Sequence, residues 1–464
     1  MSENIDLPYT AIENGGKCQK RKQYLACITM SFLCLSKGVA SSWSSPMISL
    51  LQSADSPVGK MDDSQINVLV SIAQYAGIAS AIIVVYALIK WGTKVSCYLQ
   101  AAMSIVGWVF LICANSSILV YIGRFFIATS IVGVDILAAF YMSEVSSDSI
   151  RGTLISLLTF SGNLGSLLAY ALGTVTNFRL FNAFGLIPVA LFPLCFYWFP
   201  ETPAQHAIRG RTNEAVQSYA WFQNVPIADA DSYVKSKLLG RRPNFSPRLV
   251  MREKSNRIAL YVLIFMIMYV NFCGVTVIGN YMSKIFEIAD CSLTPNQSAL
   301  MVAAVVFVSS LIGAVLIDWT GRRFLVILAM ISMTIFQCVL IAYFVLKEYK
   351  LSRNIRSYEW AVYLGLGGFS AANAIGISSV APTIGAEMVP AGVKGILWGI
   401  AGILSLLSHS VIVFIYQFTT DHTMYYVNFV QAAVFGLVGV VIAWLLIPET
   451  KGKSLEQITA ELSR

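Results

Sequence analysis

Charge is scarce in this sequence: Asp, Glu, Lys and Arg make up 12% of its 464 residues. Soluble domains carry roughly 25%, so half that share cannot coat a water-soluble fold of this length. Histidine is nearly absent, with three residues. The nine cysteines, at 18, 27, 34, 97, 113, 195, 273, 291 and 338, show no CxxC or Cys/His spacing. No metal site, disulfide framework or cofactor is implied. No nucleophile/base constellation and no phosphate-cradling glycine loop appears, so no enzymatic activity is assigned. Gly365-Leu366-Gly367-Gly368 follows no strand and reads as a helix-packing surface or bending point. What is abundant is apolar: 56% of the residues are hydrophobic, and the chain reads as embedded in a lipid bilayer. The net charge of +8 does not point to nucleic acid, because most of the basic residues lie between apolar runs.

A hydrocarbon core about 30 Å thick takes about 20 helical residues per crossing. Runs of that length fall near 24–51, 66–89, 95–114, 118–142, 153–174, 180–199, 258–285, 298–317, 324–346, 360–386, 396–418 and 427–447. Continuous runs exclude alternating barrel strands, and only helices satisfy every backbone group within one segment. The expected fold class is therefore an all-α membrane protein of twelve transmembrane helices.

The polar start, ending in Lys17-Cys18-Gln19-Lys20-Arg21-Lys22, lacks a small-residue cleavage site and reads as a cytosolic tail, with Cys18 a free thiol or a palmitoylation site. With the N-terminus inside, 23 of the 32 Lys and Arg fall on inside segments, 10 of them in the stretch 200–257. Both termini are then cytosolic. The expected organisation is a cytosolic tail over 1–23, a six-helix bundle over 24–199, a cytosolic central loop over 200–257, a second bundle over 258–447 and a cytosolic tail over 448–464. Two glycosylation candidates, Asn115 and Asn296, fall on outside loops; a third sequon, Asn244-Phe245-Ser246, falls inside.

The central loop divides the spans six and six, and the halves repeat. Glu144 precedes Arg151-Gly152 by the same interval as Glu387 precedes Lys394-Gly395. Pro200-Glu201-Thr202-Pro203 after span six is echoed by Pro448-Glu449-Thr450-Lys451 after span twelve. Trp91-Gly92-Thr93-Lys94 after span two is echoed by Trp319-Thr320-Gly321-Arg322-Arg323 after span eight. Repeated halves of this kind place a substrate site at their interface near the membrane midplane.

These motifs, with Gly123-Arg124-Phe125, Tyr141-Met142-Ser143-Glu144 and Gly210-Arg211, resemble the sugar porter branch of the major facilitator superfamily across nearly the whole chain. Ser41-Ser42-Trp43-Ser44-Ser45-Pro46 looks like the insect facilitative trehalose and glucose carriers. The resemblance implies the major facilitator fold, with two pseudo-symmetric six-helix bundles, and a plasma-membrane location. It also implies a cytosolic latch built from Glu144, Arg151, Glu201, Asp318, Arg322, Arg323, Glu387, Lys394 and Glu449, charges that pair across the halves when the inner side is closed. The alternative is that they anchor helix ends in the head-group region.

The pocket departs from the family's pattern. Span seven of sugar porters carries Gln-Gln-x-Ser-Gly-x-Asn; here the stretch is Val270-Asn271-Phe272-Cys273-Gly274-Val275-Thr276. Span ten has Ser378-Ser379-Val380-Ala381-Pro382 in place of Gly-Pro-x-Pro-Trp, and Leu406 stands where span eleven has Trp. Either the substrate differs from hexose or binding is rebuilt from Gln74, Thr159, Asn163, Asn271, Thr276, Asn280, Tyr281, Asn373 and His409. Such residues also serve as helix-to-helix hydrogen bonds. Lys37 in span one and Asp135 in span four lie well inside the bilayer, where charge is a functional flag; an ion pair between them is expected, as a structural pair, a substrate anchor or a proton-coupling site. The expected function is facilitative carriage of a sugar or similar neutral polyol by alternating access. Its rivals are a proton-coupled symporter using Asp135 and a non-transporting sensor on the same scaffold. The expected partners are the small solute, the lipid bilayer and, for a symporter, protons; no nucleic acid is expected.

Overall fold

The computed structural model describes residues 20–54, 56–147, 150–238, 254–351, 355–388, 394–422, 424–449, 451 and 457, and among them no strand occurs. The first half comprises α1 (Arg21–Ser42), α2 (Ser44–Leu51), α3 (Asp63–Trp91), α4 (Thr93–Ile112), α5 (Ser117–Val145), α6 (Arg151–Val175) and α7 (Phe178–Phe196). Short helices α8 (Pro203–Ile208), α9 (Thr212–Gln223) and α10 (Ile227–Tyr233) follow. The second half comprises α11 (Lys254–Phe272), α12 (Val275–Ala289), α13 (Pro295–Thr320), α14 (Arg322–Glu348), α15 (Glu359–Ala372), α16 (Ser378–Met388), α17 (Lys394–His422) and α18 (Tyr426–Leu446). Residues 1–19, 239–253 and most of 448–464 lie outside the described residues, and with them Cys18 and the Asn244 sequon.

Twelve helical segments among the described residues are long and apolar enough to cross a membrane. The protein is a multi-pass membrane protein, and an even number of crossings among the described residues brings the start of span one and the end of span twelve to one face, called here the tail face; the opposite one is the far face. Two far-face helix starts repeat across the halves. Asp62 accepts from Gln65 N at 2.7 Å while Gln65 Oε1 accepts from Asp62 N at 3.1 Å, and Thr294 and Gln297 exchange the same two bonds. These capping boxes satisfy orphan N–H groups at the start of spans two and eight.

Spans one, seven and ten are interrupted. Pro46 removes a backbone donor just after the break at Trp43 that separates α1 from α2. Gly274, at φ +95°, separates α11 from α12, and Gln337 Nε2 donates to the Cys273 carbonyl that the break exposes. A π-helical turn over Asn373–Ile377 joins α15 to α16.

Within the first half, α1 packs on α5, α6 and α7, and α5 on α3 and α4. Within the second, α14 packs on α15 and α18, and α11 on α17. The halves meet where α6 touches α13, α3 touches α17 and α2 touches α12. The first two contacts are equivalents under exchange of the halves, being span five on span eight and span eleven on span two.

Candidate functional site

At the far face the halves are joined by hydrogen bonds. Ser45 Oγ and Ser283 Oγ lie 2.8 Å apart, and Ser283 N donates to Ser45 Oγ at 3.0 Å. Tyr170 OH donates to the Gly279 carbonyl at 3.5 Å, and Asn296 Nδ2 to the Gly173 carbonyl at 3.2 Å. A cavity of about 210 Å³ lined by Pro46, Met47, Ser49, Thr176 and Asn296 borders this seam. The placement of Asn296 on an outer loop is corrected: it lies in the first turn of α13, where Thr294 caps the helix, and its amide is engaged across the seam. Asn115 lies exposed between α4 and α5.

Halfway along the first half, Lys37 Nζ on α1 donates to Asp135 Oδ1 on α5 at 2.8 Å. The Lys37 side chain is 22% exposed and that of Asp135 is 62% exposed. A carboxylate so exposed at mid-span is too costly to face hydrocarbon, so the seam between α1 and α5 opens onto water. On α6, Thr159, Asn163, Ser166 and Tyr170 follow one another at helical spacing, forming a polar stripe that ends at the far-face contact. Thr159 is exposed, with its hydroxyl on the Ile155 carbonyl, and Asn163 is half-buried.

A third intramembrane charge, Arg124, is 1% exposed. Its guanidinium donates to the Ala40 carbonyl and to Ser44 Oγ, both at 2.8 Å, and lies 5.1 Å from the centre of the Trp43 ring. The cation thus stitches the break between α1 and α2 with neutral partners alone. Sequence reasoning passed over it because an arginine near the start of a span reads as a head-group anchor; its seven-residue depth past Ser117 was the available signal.

In the second half the polar candidates largely satisfy one another. Asn271 Nδ2 donates to Ser408 Oγ at 2.7 Å and to the Ser405 carbonyl at 3.2 Å, while Asn271 Oδ1 accepts from Thr276 Oγ1 at 3.0 Å. Asn280 donates to the Thr276 carbonyl, and Gln417 Nε2 to Tyr281 OH at 3.0 Å. Asn373 opens the π-helical turn and donates to Ser378 Oγ at 3.1 Å. His409 Nε2 is buried with no hydrogen-bond partner among the described residues. Gln74 is buried on α3, a helix that packs on α17.

At the tail face two carboxylates occupy equivalent helix starts. Glu201 accepts from Lys94 N at 3.0 and 3.2 Å, at the first turn of α4. Glu449 accepts from Arg322 N at 3.1 Å and Arg323 N at 3.2 Å, at the first turn of α14. A helix N-terminus carries unpaired N–H groups and the positive end of the dipole, so it holds an anion well. Each preceding glycine, Gly92 at φ +87° and Gly321 at φ +92°, has an extended ψ in a region open to glycine alone. Glu144 sits beside Thr93, Thr202 and Glu201, and Arg151 donates to the Ser146 carbonyl at 3.4 Å. The side chains of Asp318, Glu387 and Lys394 lie outside the described residues. Gln23 ties α1 to the central helices: it donates to Gln223 Oε1 and the Phe222 carbonyl and accepts from Ser147 N at 2.9 Å.

Two repeated six-helix halves, joined at one face and clamped separately at the other around a wet, polar interior, define a membrane carrier of the major facilitator fold. The family profile described as "Sugar (and other) transporter" matches residues 20–462, and the chain belongs to that family. Facilitated trehalose transporter Tret1 of Bombyx mori is 25% identical over 446 residues, covering 95% of this chain and 87% of that protein. Sugar transporter ERD6-like 6 of Arabidopsis thaliana is 26% identical over 376 residues, covering 79% and 76%. Among solved structures, the proton:xylose symporter XylE bound to 6-bromo-6-deoxy-D-glucose superposes with a TM-score of 0.75 at 18% identity, over 94% of this chain and 99% of that one. The inward open conformation of XylE from E. coli gives 0.73 at 17% identity, over 95% and 99%. These are relatives and folds of transporters, not of enzymes.

Proposed function

We propose that the protein is a facilitative carrier of a sugar or similar neutral polyol, working by alternating access. The observation that carries this reading is the asymmetry of the seam. Hydrogen bonds join the halves at the far face, whereas at mid-span Asp135 is open to water and on the tail side Glu201 and Glu449 are each held within their own half. This is the geometry of a carrier closed on one side and open on the other. The residues over 24–199 and 258–447 act as the two moving bodies, the stretch 200–257 links them, and the carboxylate clamps at Glu201 and Glu449 organise each body's tail-face turns. Glu144, Arg151, Asp318, Arg322, Arg323, Glu387 and Lys394 complete that tail-face machinery.

The named activities of the relatives, trehalose and xylose transport, support a sugar as cargo. Arg124, among a carbonyl, a hydroxyl and an indole, offers no proton to exchange, which leaves Asp135 as the coupling residue of the rival symport reading. The distribution of Lys and Arg supports a cytosolic tail face, the resemblance to sugar porters implies a plasma-membrane location, and the exposed loop position of Asn115 supports a glycan there. Uptake of labelled trehalose, glucose and polyols into proteoliposomes, with and without an inward proton gradient, tests the reading. Saturable uptake independent of the gradient is expected; uptake that requires the gradient makes the protein a symporter, and silence across the panel removes the sugar assignment.

A further inference from the structure

Among the described polar groups at mid-span, the Lys37–Asp135 pair is both charged and exposed. Asn271, Thr276 and Asn280 are bonded among themselves and to α17, and Arg124 is sealed at 1% exposure. Asp135 is 62% exposed, and its Oδ1 accepts from Lys37. No other hydrogen bond is made by its Oδ2 among the described residues, and the Lys37 ammonium keeps two further donors. The pair's exposure leaves the second carboxylate oxygen and the remaining ammonium donors accessible to a solute.

We infer that Lys37 and Asp135 form a cargo-binding bracket specific for a vicinal diol, an inference that rests on the sugar-carrier reading. One hydroxyl of the diol donates to Asp135 Oδ2 while its neighbour accepts from Lys37 Nζ. Both bonds are charge-assisted and stronger than those of the neutral amides that line hexose sites. The bracket carries no net charge. It therefore offers no net attraction to an ion of either sign, and retains hydrogen-bonding affinity for a neutral polyhydroxylated solute. Thr159 and Asn163 lie on the polar stripe of α6, a helix that packs directly on α1. The bracket also supplies polar recognition that the altered span seven does not: the asparagine and threonine there are bonded to one another.

The test uses the full chain in proteoliposomes, with trehalose and glucose as probes and their deoxy analogues, each lacking one hydroxyl of a vicinal pair, as competitors. Lys37→Met and Asp135→Asn are each expected to raise KM about tenfold or more with kcat little changed, the mark of lost ground-state binding. They are also expected to erase the preference for the intact diol over the deoxy sugar. Lys37→Asp combined with Asp135→Lys restores the bracket with its ends exchanged and is expected to recover most of the affinity. A double neutral variant, Lys37→Met with Asp135→Asn, controls for folding through its elution profile and thermal stability. Wild-type transport with single variants that keep both KM and diol preference overturns the bracket and leaves the carrier reading standing, as does a loss confined to kcat. A wild type that neither moves nor is thermally stabilised by any sugar overturns both.

Discussion

Ser45 and Ser283, 238 residues apart in the chain, meet hydroxyl to hydroxyl at 2.8 Å across the seam between the halves. Ser283 N adds a second bond to the same oxygen, and α2 packs on α12 around it. Gly274, at φ +95°, sets α12 off from α11, whereas Trp43 keeps helical angles and Pro46 only removes one hydrogen bond between α1 and α2.

That contact predicts a reversible lock. Cysteines at 45 and 283, introduced where exposed Cys113 and Cys338 have been replaced, should form a disulfide under mild oxidant, since the two side-chain oxygens lie 2.8 Å apart. Uptake should stop on oxidation and return with reductant. A cross-link verified by mass spectrometry that leaves uptake intact would show that the far face does not need to open.

The tail-face clamps predict coupled losses. Ala at Gly321 forces a non-glycine residue into a glycine-only backbone region, at a cost of about 1 to 3 kcal/mol, and sets its Cβ 3.0 Å from Glu449 Oε2. Glu449→Gln removes the charge that the α14 N-terminus holds, at a cost of roughly 1 to 2 kcal/mol. Because both changes disrupt one contact, their effects on thermal stability in detergent should be less than additive. The equivalent pair, Gly92 with Glu201, should behave alike, with the tighter approach of 2.7 Å making Gly92→Ala the more damaging. Strict additivity in both halves would separate the glycines from the carboxylates.

Arg124 should resist conservative replacement. Its planar fork reaches the Ala40 carbonyl and Ser44 Oγ together while its face lies near Trp43. An ammonium on a flexible stem cannot match that arrangement. Arg124→Lys is therefore expected to lower turnover about tenfold or more, and Arg124→Met to lower folded yield as well, because the Ala40 carbonyl loses its partner. Wild-type turnover in Arg124→Lys would reduce the residue to a generic buried charge.

The spans were legible because hydrocarbon leaves the backbone one solution, and a run of about 20 apolar residues announces it. The repeat was legible because Glu201 and Glu449, like Gly92 and Gly321, recur at matching turns. What those residues do was not: a carboxylate that caps a helix more than a hundred residues away has the same local sequence as one that pairs across the halves. The depth of Arg124 was hidden for a related reason, since burial depends on α1 folding back against α5. The capping boxes Asp62-x-x-Gln65 and Thr294-x-x-Gln297 were readable and overlooked, because attention to apolar runs passes over the polar residues that start them.

Asn271 illustrates how far a polar residue in a resembling motif can be from a free one. It is 3% exposed, donates to Ser408 Oγ and the Ser405 carbonyl, and accepts from Thr276. Removing it strands the Thr276 hydroxyl, at a cost of about 1 to 3 kcal/mol, and takes a donor from Ser408 Oγ and the Ser405 carbonyl, which keep their own bond at 2.8 Å. Asn271→Ala should accordingly lower thermal stability by several degrees, with Thr276→Val giving a smaller fall in the same direction. If the network joins α11 to α17 and leaves cargo to other residues, the surviving folded protein should keep the wild-type KM for sugar. A raised KM with unchanged stability would instead make Asn271 a cargo ligand and require the network to open during the transport cycle.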